Sequence, residues 1–198
     1  MRYFDTLPKI VVTQNNVSKL YTNLLARANI IQNLLNDTLL FYTYDIKDSD
    51  TPEIIAHKYY NDINRFWIVL FANQILDPQW EWPMTNVVFN QYLLNKYTES
   101  QLGEAHHYEK IVTTIDNETQ TTSIKTVEVD YDTYVSIVPF STTKTFPDRT
   151  SVVYSISTKA VSIYEYENVL NESKRNIKLI NSSYATDMET QYQTLVKS

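Results

Sequence analysis

The segment Phe41–Leu94 is the most informative part of the sequence, and it reads FYTYDIKDSDTPEIIAHKYYNDINRFWIVLFANQILDPQWEWPMTNVVFNQYLL. Its opening letters, FYTYDI, have an alternating pattern that predicts a half-buried strand. Thr51 and Pro52 then mark the start of a helix, because threonine caps free N–H groups and proline fits the first helical position. A second helix follows Asp62. We therefore expect a compact module that begins with one strand and two helices.

The apolar positions of these two helices predict what holds the module together. Ile55 and Tyr59 lie four residues apart in the first helix. Trp67 and Leu70 lie three residues apart in the second. Side chains at these spacings share one face of a helix. We therefore predict that these four residues form the core of the module.

The order of these elements resembles a LysM module. Tyr44–Thr51 is similar to a LysM opening, Ile55–Tyr60 to its first helix, and Leu70–Asn73 to its second. The sequence then departs from an ordinary LysM module, because no Tyr-Pro-Gly-Gln type turn precedes a closing strand. Ile75–Pro83 stands in its place.

The longer sequence resembles the LysM-bearing baseplate wedge protein of T-even-like contractile-tailed bacteriophages. A helix rich in leucine and arginine precedes the module, as in that family. The other segments that carry the likeness are Met1–Phe4, the run from Trp67 through Asp77-Pro78 to Trp82, and Tyr164–Ile180. The likeness is weakest over residues 98–157.

This resemblance implies an α+β fold with a LysM-like βααβ core, an N-terminal helical arm, a β-rich middle region and a C-terminal helical segment. It also implies a structural subunit that links neighbouring wedges of the tail baseplate into a six-fold ring through protein–protein contacts. The implied partners are other baseplate wedge proteins and neighbouring copies of the wedge. The implied location is the virion, after assembly in the host cytoplasm. The alternative is a LysM-type protein that binds cell-wall glycan, although such modules often occur in tandem and with an export signal.

Four segments are expected along the chain. Residues 1–38 form an extended arm, in which Ile10–Val12 could pair as a strand or dock on another subunit, and a helix over 18–36. That helix is predicted from Leu20, Leu24, Ala28, Ile31 and Leu35, with Ser18 as its cap. Residues 39–97 form the module. Residues 98–157 are β-rich and 158–198 are helical.

The β-rich segment contains a predicted hairpin with strands at 111–115 and 123–129, and further strands at 130–138 and 151–156. In the helical segment, Ser162 and Glu165 have the spacing of a capping box. The helix that they begin is expected to run to about Lys174, and a last helix begins near Ser183.

Two groups of residues are candidate partner contacts. The last helix carries an apolar stripe whose partner is either the protein's own core or a neighbouring subunit. Its members are Tyr184, Met188, Tyr192 and Leu195. Trp80 and Trp82 would face one side in an extended segment, where they either stack on sugar rings or seal the end of the module. We favour the sealing role because tryptophan is mostly buried.

Composition argues against several functions. The net charge of −6 opposes binding to nucleic acid or an anionic membrane, and no apolar run is long enough to span a membrane. The single glycine argues against a nucleotide-binding loop, and the absence of cysteine excludes thiolate metal sites. The sixteen tyrosines suit either protein interfaces or a strand-rich core.

No constellation of residues indicates catalysis, a cofactor or a metal. Neighbouring side chains point to opposite sides of a strand, so His106 and His107 are not expected to chelate an ion together. The carboxylate pairs Glu165 with Glu167 and Asp130 with Asp132 are interpreted as charged faces. We therefore expect a non-enzymatic protein.

Overall fold

The computed structural model describes residues 3–26, 39–148 and 150–197. Its helices are α1 (Tyr3–Thr6), α2 (Pro52–Tyr60), α3 (Phe66–Ala72), α4 (Pro78–Glu81), α5 (Asn86–Lys96), α6 (Glu99–Leu102), α7 (Tyr131–Ser136), α8 (Ile163–Ser173) and α9 (Ala185–Lys197). Its strands are β1 (Lys9–Gln14), β2 (Val17–Thr22), β3 (Phe41–Asp45), β4 (Ala105–Asp116), β5 (Thr121–Val129), β6 (Phe140–Thr145), β7 (Ser151–Ser162) and β8 (Asn176–Ile180). The α+β class is confirmed.

The chain divides into two compact units, and the first combines both ends of the sequence. It consists of Met1–Asn86 with Asn171–Ser198, while the second is Val87–Leu170. The expected division into four segments stays a prediction.

The predicted start of α2 matches its geometry. The Thr51 hydroxyl accepts a hydrogen bond from the Ile54 N–H, and Pro52 occupies the first turn. Asn61 ends the helix in the left-handed conformation with φ of 54°, which asparagine adopts more readily than most residues. Asp62 then caps the 3-10 turn Ile63–Arg65 that leads into α3. Local sequence signals therefore place both module helices.

Strand β3 pairs with β8 near the other end of the chain. The two are antiparallel, with Phe41 opposite Ile180 and Asp45 opposite Asn176. The expectation that the strand and helices of the core all lie within residues 39–97 is therefore incomplete. Strand, two helices and strand do follow in the order β3, α2, α3 and β8, but the last strand comes from the distant C-terminal segment.

The core of the first unit lies between this strand pair and the helices. Ile55 and Trp67 are buried, and Tyr59 and Leu70 pack against the buried cluster while partly exposed. Asn73 fastens α3 to β8 because its amide nitrogen donates to the Lys178 carbonyl and its amide oxygen accepts from the Lys178 N–H, both at 2.8 Å. The Asn73 side chain thus satisfies the backbone N–H and C=O of Lys178, which would otherwise be unpaired on the outer edge of β8.

The N-terminal segment confirms one prediction and contradicts another. Ile10–Val12 pair as part of strand β1, as one of the two alternatives for them had it. A helix was expected from residue 18, but Ser18 and Leu20 lie in β2, which pairs with β1 in a two-stranded antiparallel ribbon. Asn15 and Asn16 form its turn with φ of 52° and 57°, the conformation of a tight two-residue hairpin. This turn places strands on both of its sides, and it outweighs the helical spacing of Leu20 and Leu24. The remaining predicted positions Ala28, Ile31 and Leu35 lie outside the described residues.

The second unit contains a four-stranded antiparallel sheet in the order β5, β4, β7 and β6. The predicted hairpin is confirmed as β4 and β5, and the predicted strand at 151–156 lies in β7. The strand predicted at 130–138 is wrong. The Asp130 carboxylate accepts from the Thr133 N–H at 2.9 Å and so caps the start of helix α7. An aspartate at this position stabilises a helix because it satisfies a free N–H of the first turn. The Ser162 hydroxyl accepts from the Glu165 N–H at the start of α8, which is one half of the predicted capping box, and the Glu165 carboxylate pairs with Lys159.

Candidate protein–protein interface

The ribbon of β1 and β2 exposes apolar side chains on both of its faces. Val11 and Leu20 lie opposite each other on one face and are 66% and 65% exposed. Ile10 and Tyr21 form the next pair on the other face and are also exposed. A two-stranded ribbon is marginal in water, and exposed apolar patches mark interaction sites. The ribbon is therefore a candidate interface.

Both ends of the ribbon are fastened to the first unit. Leu7, two residues before the start of β1, is buried in the core cluster, and Ala26 packs against that cluster after β2. The Asn23 N–H donates to the Pro8 carbonyl at 2.8 Å, which closes the base of the ribbon. A ribbon held at its base presents its strands and its turn in a defined direction.

The ribbon has a different charge from the rest of the protein. Between Leu7 and Ala26 the sequence contains Lys9 and Lys19 and no aspartate or glutamate. The whole chain has 23 acidic and 17 basic residues. The ribbon is thus a basic, apolar element of an acidic protein.

The sheet of the second unit is a second exposed surface. Of the residues in β4 to β7, all of which are described, only Val161 is buried. Register places Val112, Ile156 and Phe140 in one row across the sheet, with Phe140 and Tyr154 rings 6.0 Å apart. Cross-strand neighbours share a face, so this row forms an apolar stripe that solvent reaches.

The predicted stripe of the last helix does not form one outward surface. Tyr184 and Leu195 are exposed, but Met188 packs against the core and Tyr192 is only 4% exposed. Tyr192 contacts Trp67, with ring centroids 5.1 Å apart. Of the two alternatives for this stripe, Met188 and Tyr192 take the protein's own core, because α9 uses them to cover α3. A partner contact stays a prediction for Tyr184 and Leu195.

Trp80 and Trp82 also separate. The segment is not extended: Trp80 lies in helix α4 and is 54% exposed, while Trp82 is 9% exposed. The Trp82 Nε1–H donates to the Asp50 carbonyl at 3.0 Å. The two rings therefore form no shared stacking platform. Trp82 packs in the buried core cluster, which is consistent with the predicted sealing role. Only Trp80 stays available to a partner.

Asp50 is a buried carboxylate that the sequence did not single out. It accepts hydrogen bonds from the Tyr44 hydroxyl at 2.7 Å, the Lys47 N–H at 3.1 Å and the Lys58 ammonium at 2.6 Å. Burial raises its pKa, but these three donors more than offset that effect, and the pKa lies below its usual value. The same contact raises the pKa of Tyr44 to about 12. The network fixes the loop before α2.

The paired carboxylates Glu165 and Glu167 face different partners. Glu167 is buried and accepts from the Lys96 ammonium and the Tyr97 hydroxyl, both at 2.7 Å. Burial raises the pKa of Glu167, yet these donors hold it below its ordinary value. Glu165 is paired with Lys159. Each carboxylate is thus bound to its own lysine, an arrangement that serves packing.

His106 and His107 lie closer together than predicted. A register shift in β4 between Ala105 and His107 brings their Nδ1 atoms to 2.9 Å, so the expectation that they point apart is wrong. A bulge inserts an extra residue and so breaks the alternation of side chains. Among the described residues, no group of three metal-ligating side chains occurs. The His106 ring stacks instead on Tyr166, with centroids 3.7 Å apart.

The described helices include none long and apolar enough to cross a membrane. Comparison with curated proteins gives no match. The family model described as base plate wedge protein 53 matches residues 3–198, which is nearly the whole sequence. The chain therefore belongs to the phage base plate wedge protein 53 family, a family of structural proteins of the tail baseplate.

Proposed function

We propose that this protein links neighbouring wedges of a contractile-tail baseplate into a six-fold ring. The observation that carries the proposal is that each of its two units has its own uncovered β surface. A linking subunit needs at least two docking surfaces, and the ribbon and the sheet supply them. Other wedge proteins and neighbouring copies of the wedge are the partners, and assembly takes place in the host cytoplasm.

The contacts are proposed to be structural and not catalytic. The buried carboxylates Asp50 and Glu167 each accept hydrogen bonds from a lysine and a tyrosine. These bonds stabilise the ionised form of each carboxylate, which does not suit it to transfer protons as a general acid or base. The apolar ribbon and sheet offer area for burial, which is what a permanent assembly uses. We also propose that neither nucleic acid nor a membrane is a partner, since the net charge is −6.

The core is proposed to be LysM-like. The order β3, α2, α3 and β8 with antiparallel pairing of its strands supports this reading. The same order favours a second candidate function, which is binding of cell-wall glycan. The loop before α2 argues against it, because Asp48 accepts from the Asn86 N–H at 3.0 Å and contacts Arg175, and Asp50 is buried. A loop held by its own protein has few groups left for a sugar.

Mass spectrometry of purified tails tests the proposed location and partners. Intact tails are separated from free protein by sedimentation, and lysine crosslinking is applied before digestion. We expect this chain in the tail fraction, with crosslinks to other wedge proteins. Its absence from purified tails, together with its presence in the free-protein fraction, would contradict the proposal.

A further inference from the structure

The outer edge of β1 has backbone hydrogen-bonding groups that pair with no strand among the described residues. In a two-residue hairpin, Gln14 and Val17 form a hydrogen-bonded pair across the ribbon. Hydrogen-bonded and non-hydrogen-bonded pairs alternate along an antiparallel ladder, so Val11 and Leu20 form a non-hydrogen-bonded pair. The backbone N–H and C=O groups of Val11 therefore point away from β2, and those of Leu20 point away from β1. The described part of the chain places no third strand beside either of them.

The two edges differ in how they are protected. In natural proteins, charged side chains, particularly lysine, keep an exposed edge strand from pairing with another strand. β2 carries Lys19 in its middle, whereas β1 has no charged side chain after Lys9, at its first position. The intervening residues of β1, Ile10–Thr13, are all β-branched and suit a paired strand. β1 is therefore the edge that is open to another strand.

The charge of the ribbon selects among possible occupants. Two copies pairing through β1 would bring two ribbons together, each with two lysines and no acidic residue. Like charges at an interface oppose association. An extended segment flanked by aspartate or glutamate would instead meet opposite charge at Lys9 and Lys19. The ribbon therefore fits an acidic partner better than a second copy of itself.

We propose that the β1 edge binds an extended apolar segment, flanked by acidic residues, of another baseplate protein, which adds a third strand to the ribbon. The backbone bonds of the added strand supply affinity, while the β1 side chains Val11 on one face and Ile10 on the other set side-chain fit. A third strand also stabilises the ribbon, which would be only marginally stable as two isolated strands. The inference rests on the proposed function, because it names the contact that holds the chain in the baseplate.

Two matched proline variants test the edge. Val11→Pro removes an outward N–H from β1, and Leu20→Pro removes the equivalent N–H from β2. Neither N–H belongs to the ladder between the two strands, so the ribbon itself is retained. Each variant is supplied in full length to a phage that lacks this chain, and its amount in purified baseplates is measured. We expect incorporation of Val11→Pro to fall about tenfold or more and that of Leu20→Pro to change less than about twofold.

Thermal unfolding of both variants checks that the core is intact. If Val11→Pro unfolds, the charge variant Lys9→Glu replaces it, with Lys47→Glu, at an exposed position outside the ribbon, as a control for charge reversal elsewhere. Lys9→Glu should reduce incorporation and Lys47→Glu should not. Equal incorporation of Lys9→Glu and wild type would overturn the charge argument.

Photo-crosslinking identifies the occupant directly. A benzophenone amino acid at Thr13, on the β1 edge, is activated in assembled baseplates, and the crosslinked peptides are sequenced. A crosslink to an acid-flanked apolar segment of another baseplate protein supports the proposal. A crosslink to a second copy of this chain, or none in baseplates that contain the chain, overturns it. If the chain is missing from wild-type baseplates altogether, the proposed function fails and not only the ribbon contact.

Discussion

Tyr3 and Tyr192 lie side by side although they come from opposite ends of the chain. The Tyr192 hydroxyl lies 3.1 Å from that of Tyr3, and the ring centroids are 6.0 Å apart. Both rings also contact Trp67 of α3. The first and last helices therefore complete the core of one unit, and the C-terminal segment cannot be removed without opening it.

The cost of opening this core is tested by two substitutions in α9. Tyr192→Ala should lower the free energy of unfolding by about 3 to 5 kcal/mol, because it leaves a cavity against Trp67. Leu195→Ala, at a position 62% exposed, should change it by less than about 0.5 kcal/mol. Denaturant unfolding of the purified chain measures both. Equal effects would show that α9 does not cover the core, and the stripe would then be available to a partner.

The buried indole of Trp67 carries a polar atom that has no bonding partner among the residues that the structure describes. Its Nε1 has no hydrogen-bond partner within the described ranges, and the side chain is 4% exposed. Trp67→Ala should cost about 3 to 5 kcal/mol, while Trp67→Phe should cost less than about 1.5 kcal/mol, because no hydrogen bond is lost and most of the volume stays. Chemical unfolding compares the two. Equal losses would indicate that the Nε1–H has a partner.

The network around Asp50 makes stability depend on pH. Its folded-state pKa is depressed, so its contribution is present above the unfolded pKa of about 3.9 and is lost as the pH falls through the folded-state value. Asp50→Asn should therefore cost about 2 to 3 kcal/mol near neutral pH, and the gap to wild type should close in acid. Melting curves over a pH series measure it. A gap that does not change with pH would contradict an ionised Asp50.

Glycan binding is expected to be absent. Purified peptidoglycan and chitin oligomers should not retain the protein, because the loop from Asp48 to Thr51 is held by internal hydrogen bonds. Sedimentation with insoluble peptidoglycan is the measurement, and a LysM protein that binds glycan is the positive control. Saturable binding that is lost on substitution of this loop would favour the alternative function.

Local signals in the sequence predicted much of the fold. Thr51 and Pro52 placed α2, Ser162 placed α8, and the alternation of β4 and β5 placed their hairpin. Each of these elements is decided by residues within a few positions of one another. Caps, turns and periodicity act over that distance and can be read directly.

The parts that were missed depend on distant contacts or on competing local patterns. The residues near Phe41 do not indicate that its strand pairs with β8, because strand pairing is decided by tertiary packing. Trp82 is buried because it reaches the Asp50 carbonyl, which is also distant in sequence. The second strand of the ribbon, β2, was missed because Leu20 and Leu24 fit a helical period. The adjacent Asn15 and Asn16 were the signal that could have corrected this reading.

The state of the baseplate in a phage that lacks this chain shows directly whether the protein links neighbouring wedges. Infected cells are lysed, and wedges and baseplates are separated by sedimentation and viewed by electron microscopy. If the protein links neighbouring wedges, single wedges should accumulate, and adding the purified chain should restore closed six-fold rings. Closed baseplates at normal yield without the chain would contradict the account.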